Sequence, residues 1–324
     1  MLSYSIAIRT LGTAGEKFRK ELESIKKLTA QPDKVIVYIA EGYPRPDFQI
    51  GKEEYIWVKK GMVAQRALQY NEISSEHILL LDDDMQLSPD SVAIMLDYMH
   101  LQSFDCIGTD VFRTHQLSVL QKLHYMITNL TFPHFSRKWG QKIRWDGSIS
   151  YKFNPKKRIY LTHRCDGPCM MVRKDSWLKI HVEDEVWMDN FGFSYGEDTV
   201  ISYKFFKNGF RVGMLYGLDC RHLDGGTASK TYIQSPNRIY IRSKSYFLYW
   251  YRSIFQTNIG IKKILSCISF ICKTIWLFLI FSLYSVIKIN THFIKQYLKG
   301  LKDGWLTTRS KAFRNLNKFK LESN

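Results

Sequence analysis

Short apolar runs alternating with helically spaced apolar residues constrain this chain more than any other feature. Tyr4 to Ile8, Val35 to Ile39, Ile56 to Val58 and Ile78 to Leu81 each read as a strand. Phe18, Leu22, Ile25 and Leu28 recur at helical spacing, so residues 15–29 read as an amphipathic helix that Pro32-Asp33 ends. Met62 to Tyr70 also reads as helix. Ser88-Pro89-Asp90 is a helix start, with Ser as cap and Pro in the first turn. That helix runs to about Met99, and Cys106 to Thr109 is the next strand. Such alternation predicts an α/β chain with a doubly wound, mostly parallel sheet. Ligands of these sheets bind beyond the carboxyl ends of the strands, where Arg9-Thr10, Glu41 and Asp82 to Asp84 all fall.

Further on, residues 112–164 read as irregular and are rich in basic and aromatic residues. Cys169 to Val172 and Val212 to Leu215 read as strands, and Glu197 to Asn208 as a helix ended by Gly209. Beyond Gly226 the pattern changes to long helices. Trp139, Trp145 and Trp187 can stack on a ligand's flat face, with core packing as the default for each.

The net charge of +17 raises a nucleic-acid partner, but its distribution argues against one. Residues 225–324 hold 17 Lys and Arg against only Asp303 and Glu322, while residues 1–224 hold 30 basic and 28 acidic residues. The basic region also contains the longest apolar run, Ile264 to Ile287, which is interrupted by Lys273 and bordered by Lys262, Lys263, Lys288 and Lys295. Basic charge beside apolar surface is attracted to an anionic membrane face. The run exceeds the roughly 20 residues a span needs, yet a lysine well inside it disfavours a simple span. Helices lying in the cytoplasmic interface, or a shallow re-entrant pair, are the favoured reading, with one transmembrane segment or a helix packed on the domain as alternatives.

The six cysteines, Cys106, Cys165, Cys169, Cys220, Cys267 and Cys272, match no paired-cysteine zinc spacing and read mainly as buried free thiols. The N-terminal run lacks the pattern of a signal peptide, so reduced thiols and a cytoplasmic location are expected.

Three adjacent carboxylates at a strand end repel one another unless solvent or a cation relieves them. Alternate residues of a strand share a face, so Asp82 and Asp84 are expected to point the same way. A hard cation, Mn2+ or Mg2+, takes one or two carboxylates and fills its shell with phosphate oxygens and water. An isoprenoid-synthase reading fails, because the fifth position is Gln86 and the preceding run is strand-like. Glu197-Asp198 opens a helix, where the dipole alone favours acids. Functionally, Asp198 can take a proton from an attacking hydroxyl, with Glu197 orienting the acceptor. His222 lies in a polar loop, Arg221 to Gly226 including Asp224 and Gly225, where a neutral imidazole can join a metal.

These pieces, in this order, resemble the family 2 glycosyltransferases of the GT-A, Rossmann-like fold, over roughly residues 3–250. Tyr4 to Thr10 looks like the family's opening strand, Val35 to Gly42 like its second strand, and Gly61 to Arg66 like the segment whose arginine approaches the nucleotide. The resemblance implies nucleotide-sugar contacts by Thr10, Glu41, Arg66, Asp82 and Asp83. Within the triplet, Asp84 is expected to meet the metal directly, assisted by Asp82 and His222, with Asp83 pointing away. Glu41 stands where the family usually has Asp. Gly196 to Thr199 matches the catalytic Glu-Asp motif, and Asp166-Gly167-Pro168-Cys169 looks like the acceptor-side segment.

Asn237 to Lys244 and Leu298 to Gly304 are similar to segments of rhamnosyl- and galactofuranosyl-type members, which implies that Arg238 and Arg242 meet the diphosphate or an acceptor phosphate. The alternative for these arginines is a basic helix face near the membrane. The resemblance implies a catalytic domain over 1–226, with a nucleotide half (1–110) and an acceptor half (111–226), and a helical C-terminal region over 227–324. It also implies inverting, metal-dependent transfer of a sugar from a UDP- or dTDP-linked donor to a glycan or lipid-linked acceptor in cell-surface polysaccharide synthesis. A nucleotidyltransferase would carry a glycine-rich basic loop, which Leu11 to Gly15 only faintly approximates. A non-catalytic membrane-bound or sugar-binding module would not need an intact triplet, Glu-Asp pair and histidine.

Overall fold

The structure, a computed structural model, describes residues 3–112, 117–129, 136–191, 196–223 and 236–321. The Asp224-Gly225-Gly226 stretch, and with it the expected boundary at 226, lies outside the described residues.

The central sheet has eight strands: β1 (Tyr4–Thr10), β2 (Val35–Ala40), β3 (Glu53–Val58), β4 (His77–Asp82), β6 (Cys106–Thr109), β9 (Ile159–Leu161), β10 (Cys169–Arg173) and β11 (Val212–Leu215). Their order is β3-β2-β1-β4-β10-β6-β11-β9. The pairs among β3, β2, β1 and β4 are parallel, as is β6 with β11, whereas β10 and β9 run antiparallel to their neighbours. The inner strands are mostly apolar because both faces are covered, whereas the edge strand β3 is partly exposed. Ile6, Ile8, Val37, Leu79 and Leu81 enter one core with Phe18 and Leu22 of α1 (Glu16–Lys26) and Met95 of α2 (Ser91–Leu101). The alternate residues Ala7, Ile36, Tyr38, Ile78 and Leu80 enter the other, with Trp177 of α4 (Lys174–Lys179) and Phe205 of α5 (Glu197–Lys207).

Two expectations change. Residues 62–66 form consecutive turns, and no helix forms over 62–70; their backbone is held by contacts from elsewhere, described below. The stretch 112–164 is less irregular than it reads, since its described part contains α3 (Val119–Asn129), a two-stranded sheet of β7 (Lys142–Ile143) and β8 (Ile149–Ser150), and β9. Trp187 is core, edge-on to Phe313, and Trp139 packs edge-on to His163, while the Trp145 ring is exposed.

The C-terminal region comprises α6 (Pro236–Trp250), a π-helical turn (Tyr251–Phe255), α7 (Ile261–Ile287), α8 (His292–Thr308) and α9 (Lys311–Arg314). The two segments that set apart the rhamnosyl-like resemblance pack on each other. A side chain at Gly300 would meet Ser243 Oγ at 2.0 Å and the Tyr240 carbonyl oxygen at 2.6 Å, and one at Gly304 would meet Phe247 Cβ at 3.0 Å. Tyr240 OH also donates to Asp303 at 2.9 Å. The glycines thus let α6 and α8 cross closely.

This region is keyed to the preceding part of the chain by Glu185, which is fully buried in the 3-10 helix Val182–Phe191. Its carboxylate accepts from Arg252 Nε and Nη2, both at 2.7 Å, from Lys204 Nζ at 3.0 Å and from Trp187 Nε1 at 2.7 Å. Burial opposes ionisation, but Arg252 and Lys204 outweigh it and hold Glu185 below the usual carboxylate range. Glu185→Gln leaves buried Arg252 without its carboxylate partner and Lys204 with only Asp184 at 3.5 Å among the described residues, and is expected to cost about 3 kcal/mol at neutral pH. The ionised glutamate stabilises the fold fully above its unfolded pKa of about 4.3, and that contribution is lost as pH falls through the lower folded value. Denaturant titrations at neutral and acid pH should therefore show the two proteins converging in acid.

Candidate active site

β4 ends at Asp82, and Asp83-Asp84 form a turn into β5 (Met85–Gln86). Strand alternation therefore stops before Asp84, and the expectation that Asp82 and Asp84 share a strand face does not apply. β5 pairs antiparallel with β12 (Arg221–His222), His222 opposite Met85, and Leu223 N donates to the Asp84 carbonyl at 2.8 Å. This pairing sets His222 Nε2 3.1 Å from Asp84 Oδ1. That oxygen is buried and accepts no hydrogen bond, although the imidazole nitrogen is within reach. The Phe112 ring stands edge-on to His222, with centroids 5.5 Å apart. A buried carboxylate oxygen and an imidazole nitrogen converging within 3.1 Å fit a divalent cation. Among the described residues no group of three or more His, Cys, Asp or Glu is placed to hold a metal ion. The pair would thus supply two ligands and leave the remaining positions to phosphate oxygens and water.

Asp82 does not join that pair, because both of its oxygens are engaged by arginines. β1 and β4 place Arg9 opposite Asp82 in register. Arg9 Nε reaches Asp82 Oδ1 at 2.6 Å, and its Nη2 reaches Asp82 Oδ2 at 3.2 Å and Glu197 Oε1 at 2.8 Å. Arg66, only 2% exposed, repeats the bridge: Nη2 to Asp82 Oδ1 at 2.6 Å and Nη1 to Glu197 Oε1 at 3.2 Å. Two cations and two anions thus form a partly buried, balanced quartet joining the triplet to the Glu-Asp motif. Burial opposes ionisation of Asp82, but the guanidiniums outweigh it and hold the carboxyl well below the usual range. At Glu197 burial pushes the pKa up, with Arg9 and Arg66 opposing.

Arg66 is delivered by the turns at 62–66. Asp189 accepts from the backbone N–H groups of Val63 (3.0 Å) and Ala64 (2.8 Å), and Gln65 Nε2 donates to the carbonyls of Thr10 (2.9 Å) and Tyr38 (3.2 Å). Thr10 itself donates its hydroxyl to Asp83, which is therefore tied back to the end of β1. Burial pushes Asp83 up to about 6, with Asp82 and Asp84 adding to the shift and Thr10 opposing it.

Asp198 lies in the first turn of α5, after Gly196 in the left-handed region at φ 84°. Its Oδ1 accepts from Thr199 N at 2.7 Å and its Oδ2 from Arg164 Nη2 at 2.6 Å. Arg164 is fixed in turn by Asp166 Oδ1 (2.6 Å), Gln141 Oε1 (3.1 Å) and Thr199 Oγ1 (3.0 Å). The Gly167 carbonyl accepts from Arg66 Nη2 at 2.5 Å. A side chain at Gly167 would meet Arg66 Nη1 and Asp198 Cβ, both at 2.9 Å. Glycine is thus required where the 164–167 segment threads between the two clusters.

The remaining expected residues fall elsewhere. Glu41 is exposed at the end of β2. Arg238 and Arg242 lie on α6, where Arg242 acts electrostatically on Lys273. Sequence reasoning missed the bridging role of Arg9 and the whole of Arg164 and Asp189. Arg9 precedes Thr10 at a strand end, which is a usable signal, whereas the partners of Arg164 and Asp189 are remote in sequence.

Residues 52–241 match the model of the "glycosyltransferase like family 2". The chain belongs to this family. The matched span contains Arg66, the acidic triplet, Arg164, Glu197-Asp198 and His222. The family's region thus sits on a mostly parallel central sheet. Among solved structures, one similar to this chain is GalNAc-T7 crystallised with UDP, GalNAc and Mn2+, at 12% identity and a TM-score of 0.48. The alignment covers 80% of this chain and 51% of that one, so the chain spans about half the length of GalNAc-T7. No curated protein matches it.

Proposed function

We propose that this family 2 glycosyltransferase inverts configuration, moving a sugar from a UDP- or dTDP-linked donor to a hydroxyl of a glycan or lipid-linked acceptor in cell-surface polysaccharide synthesis. The observation that carries the reading is the meeting of Asp84 and His222 at 3.1 Å, beside an arginine-bridged Asp82 and Glu197. Asp84 and His222 would hold Mn2+ or Mg2+, whose charge stabilises a departing diphosphate. The acceptor hydroxyl gives its proton to the Asp198 carboxylate, which Arg164 and the Thr199 N–H keep in one orientation. The acceptor oxygen bonds to the anomeric carbon as the bond from that carbon to the diphosphate oxygen breaks, and the electron pair leaves with the diphosphate. Thr10, Glu41 and Asp83 are assigned to the nucleotide side at the carboxyl ends of β1, β2 and β4, and Asp166-Gly167 to the acceptor side. Arg9 and Arg66 hold Asp82 and Glu197 in place between the two.

The catalytic unit is assigned to residues 1–226, with halves 1–110 and 111–226. Residues 227–324, 17 of whose residues are Lys or Arg, are assigned to an anionic membrane face on the cytoplasmic side. The close fit of Gly300 and Gly304 onto α6 supports placing the protein with rhamnosyl- and galactofuranosyl-type members. On that assignment Arg238 and Arg242 would meet an acceptor phosphate. The test is release of nucleoside diphosphate from a panel of UDP- and dTDP-sugars. Release is expected to require Mn2+ or Mg2+ and to stop with a chelator, and the product anomer should be opposite to the donor's. A product of retained configuration would contradict the single displacement.

A further inference from the structure

The apolar run that reads as a membrane segment forms one 27-residue helix, α7, long enough to cross a bilayer. Its surroundings favour a different placement. One stripe, Ser266, Phe270, Lys273, Leu277, Phe281 and Ser285, is buried. Phe270 stacks on Trp250 with centroids 3.9 Å apart, and Lys273 lies 5.4 Å from the Tyr246 ring centroid, within the field of Asp146. α8 runs back along α7: Tyr297 OH donates to the Thr274 carbonyl at 3.1 Å, Phe281 packs on Tyr297 and Tyr284 on Phe293. Lys295, Lys299 and Lys302 of α8 are exposed. A spanning α7 would carry these lysines into hydrocarbon or strip α8 from its partner, both costly.

The opposite stripe of α7 is apolar and exposed: Ile264, Ile268, Ile271, Ile275, Leu279 and Leu283 are each at least half exposed. α3 extends this face. Trp276 Nε1 of α7 donates to the Ile127 carbonyl of α3 at 2.7 Å. Val119, Leu120, Leu123 and Ile127 recur at helical spacing and are 82%, 77%, 49% and 45% exposed. Exposed Lys262 and Lys288 border the two ends of α7.

We infer that α3 and α7 together form one face that inserts flat into the headgroup region of an anionic bilayer, with α7 parallel to the membrane plane. The inference rests on the membrane association proposed above and adds its geometry and a helix from the catalytic half. Apolar area beneath a rim of lysines is the chemistry of such insertion, roughly 5–10 Å deep.

The test uses the full chain and vesicles of phosphatidylcholine with or without phosphatidylglycerol. The protein should float with the anionic vesicles. Leu120→Glu/Leu123→Glu on α3 and Ile268→Glu/Ile275→Glu on α7 should each weaken partition at least about tenfold, with unchanged melting curves and lipid-free sugar-nucleotide hydrolysis. In membranes from expressing cells, with Cys267 and Cys272 replaced by Ser, reporters at Leu101→Cys and Lys288→Cys should react with an impermeant maleimide from the same side. Undiminished binding by the α3 variant would overturn the composite face, and reporters on opposite sides would overturn the flat placement. Wild-type protein that ignores both vesicles, or dimerises through this face, would remove the membrane association itself.

Discussion

Asp84→Asn is expected to lower the turnover number for glycosyl transfer by about a thousandfold, with the fold intact. The substitution is nearly isosteric, and Asp84 Oδ1 accepts no hydrogen bond whose loss would loosen the turn. What disappears is the negative charge facing His222. The arginine quartet is untouched, because Arg9 and Arg66 are satisfied by Asp82 and Glu197. The loss should therefore appear in turnover and donor affinity and not in the melting temperature. His222→Ala removes the second of the two side chains and should follow in the same direction. An Asp84→Asn protein with wild-type turnover would show that the triplet is only an acidic turn.

Asp198→Asn is expected to lower turnover by a factor of about 10² to 10⁴, the range for a missing general base, while the KM for the donor changes little. The asparagine carbonyl can still accept from Thr199 N or Arg164, so the start of α5 should hold. Arg164 loses one anion but keeps Asp166 and Gln141. This split separates the base from Glu197, whose removal would leave Arg9 and Arg66 undercompensated and would destabilise the protein as well. Full activity in Asp198→Asn would move the base elsewhere.

Much of the fold is legible because it is local. The five strands through Cys106–Thr109 are apolar runs bounded by turn residues, and their placement after helices implies the parallel sheet. The acidic triplet is legible at a strand end for the same reason. The 62–70 segment misleads because its apolar spacing suits a helix, yet Asp189 from more than a hundred residues away takes two of its backbone N–H groups. The role of Asp82 was hidden likewise. Its partners come from β1, from that turn segment and, through them, from α5, so only the assembled sheet reveals a quartet instead of a third metal ligand. The Gly300 and Gly304 segment is visible as a motif, but that the glycines serve a helix crossing needs the packing against Ser243 and Phe247.

Asp84 and His222 are expected to complete a cation site only when a diphosphate supplies the remaining oxygens. This is tested most directly by titrating UDP and dTDP calorimetrically into the protein with and without Mn2+. Mn2+ should strengthen nucleotide binding to the wild type and leave binding to Asp84→Asn unchanged. Equal enhancement in both proteins, or none in the wild type, would contradict it.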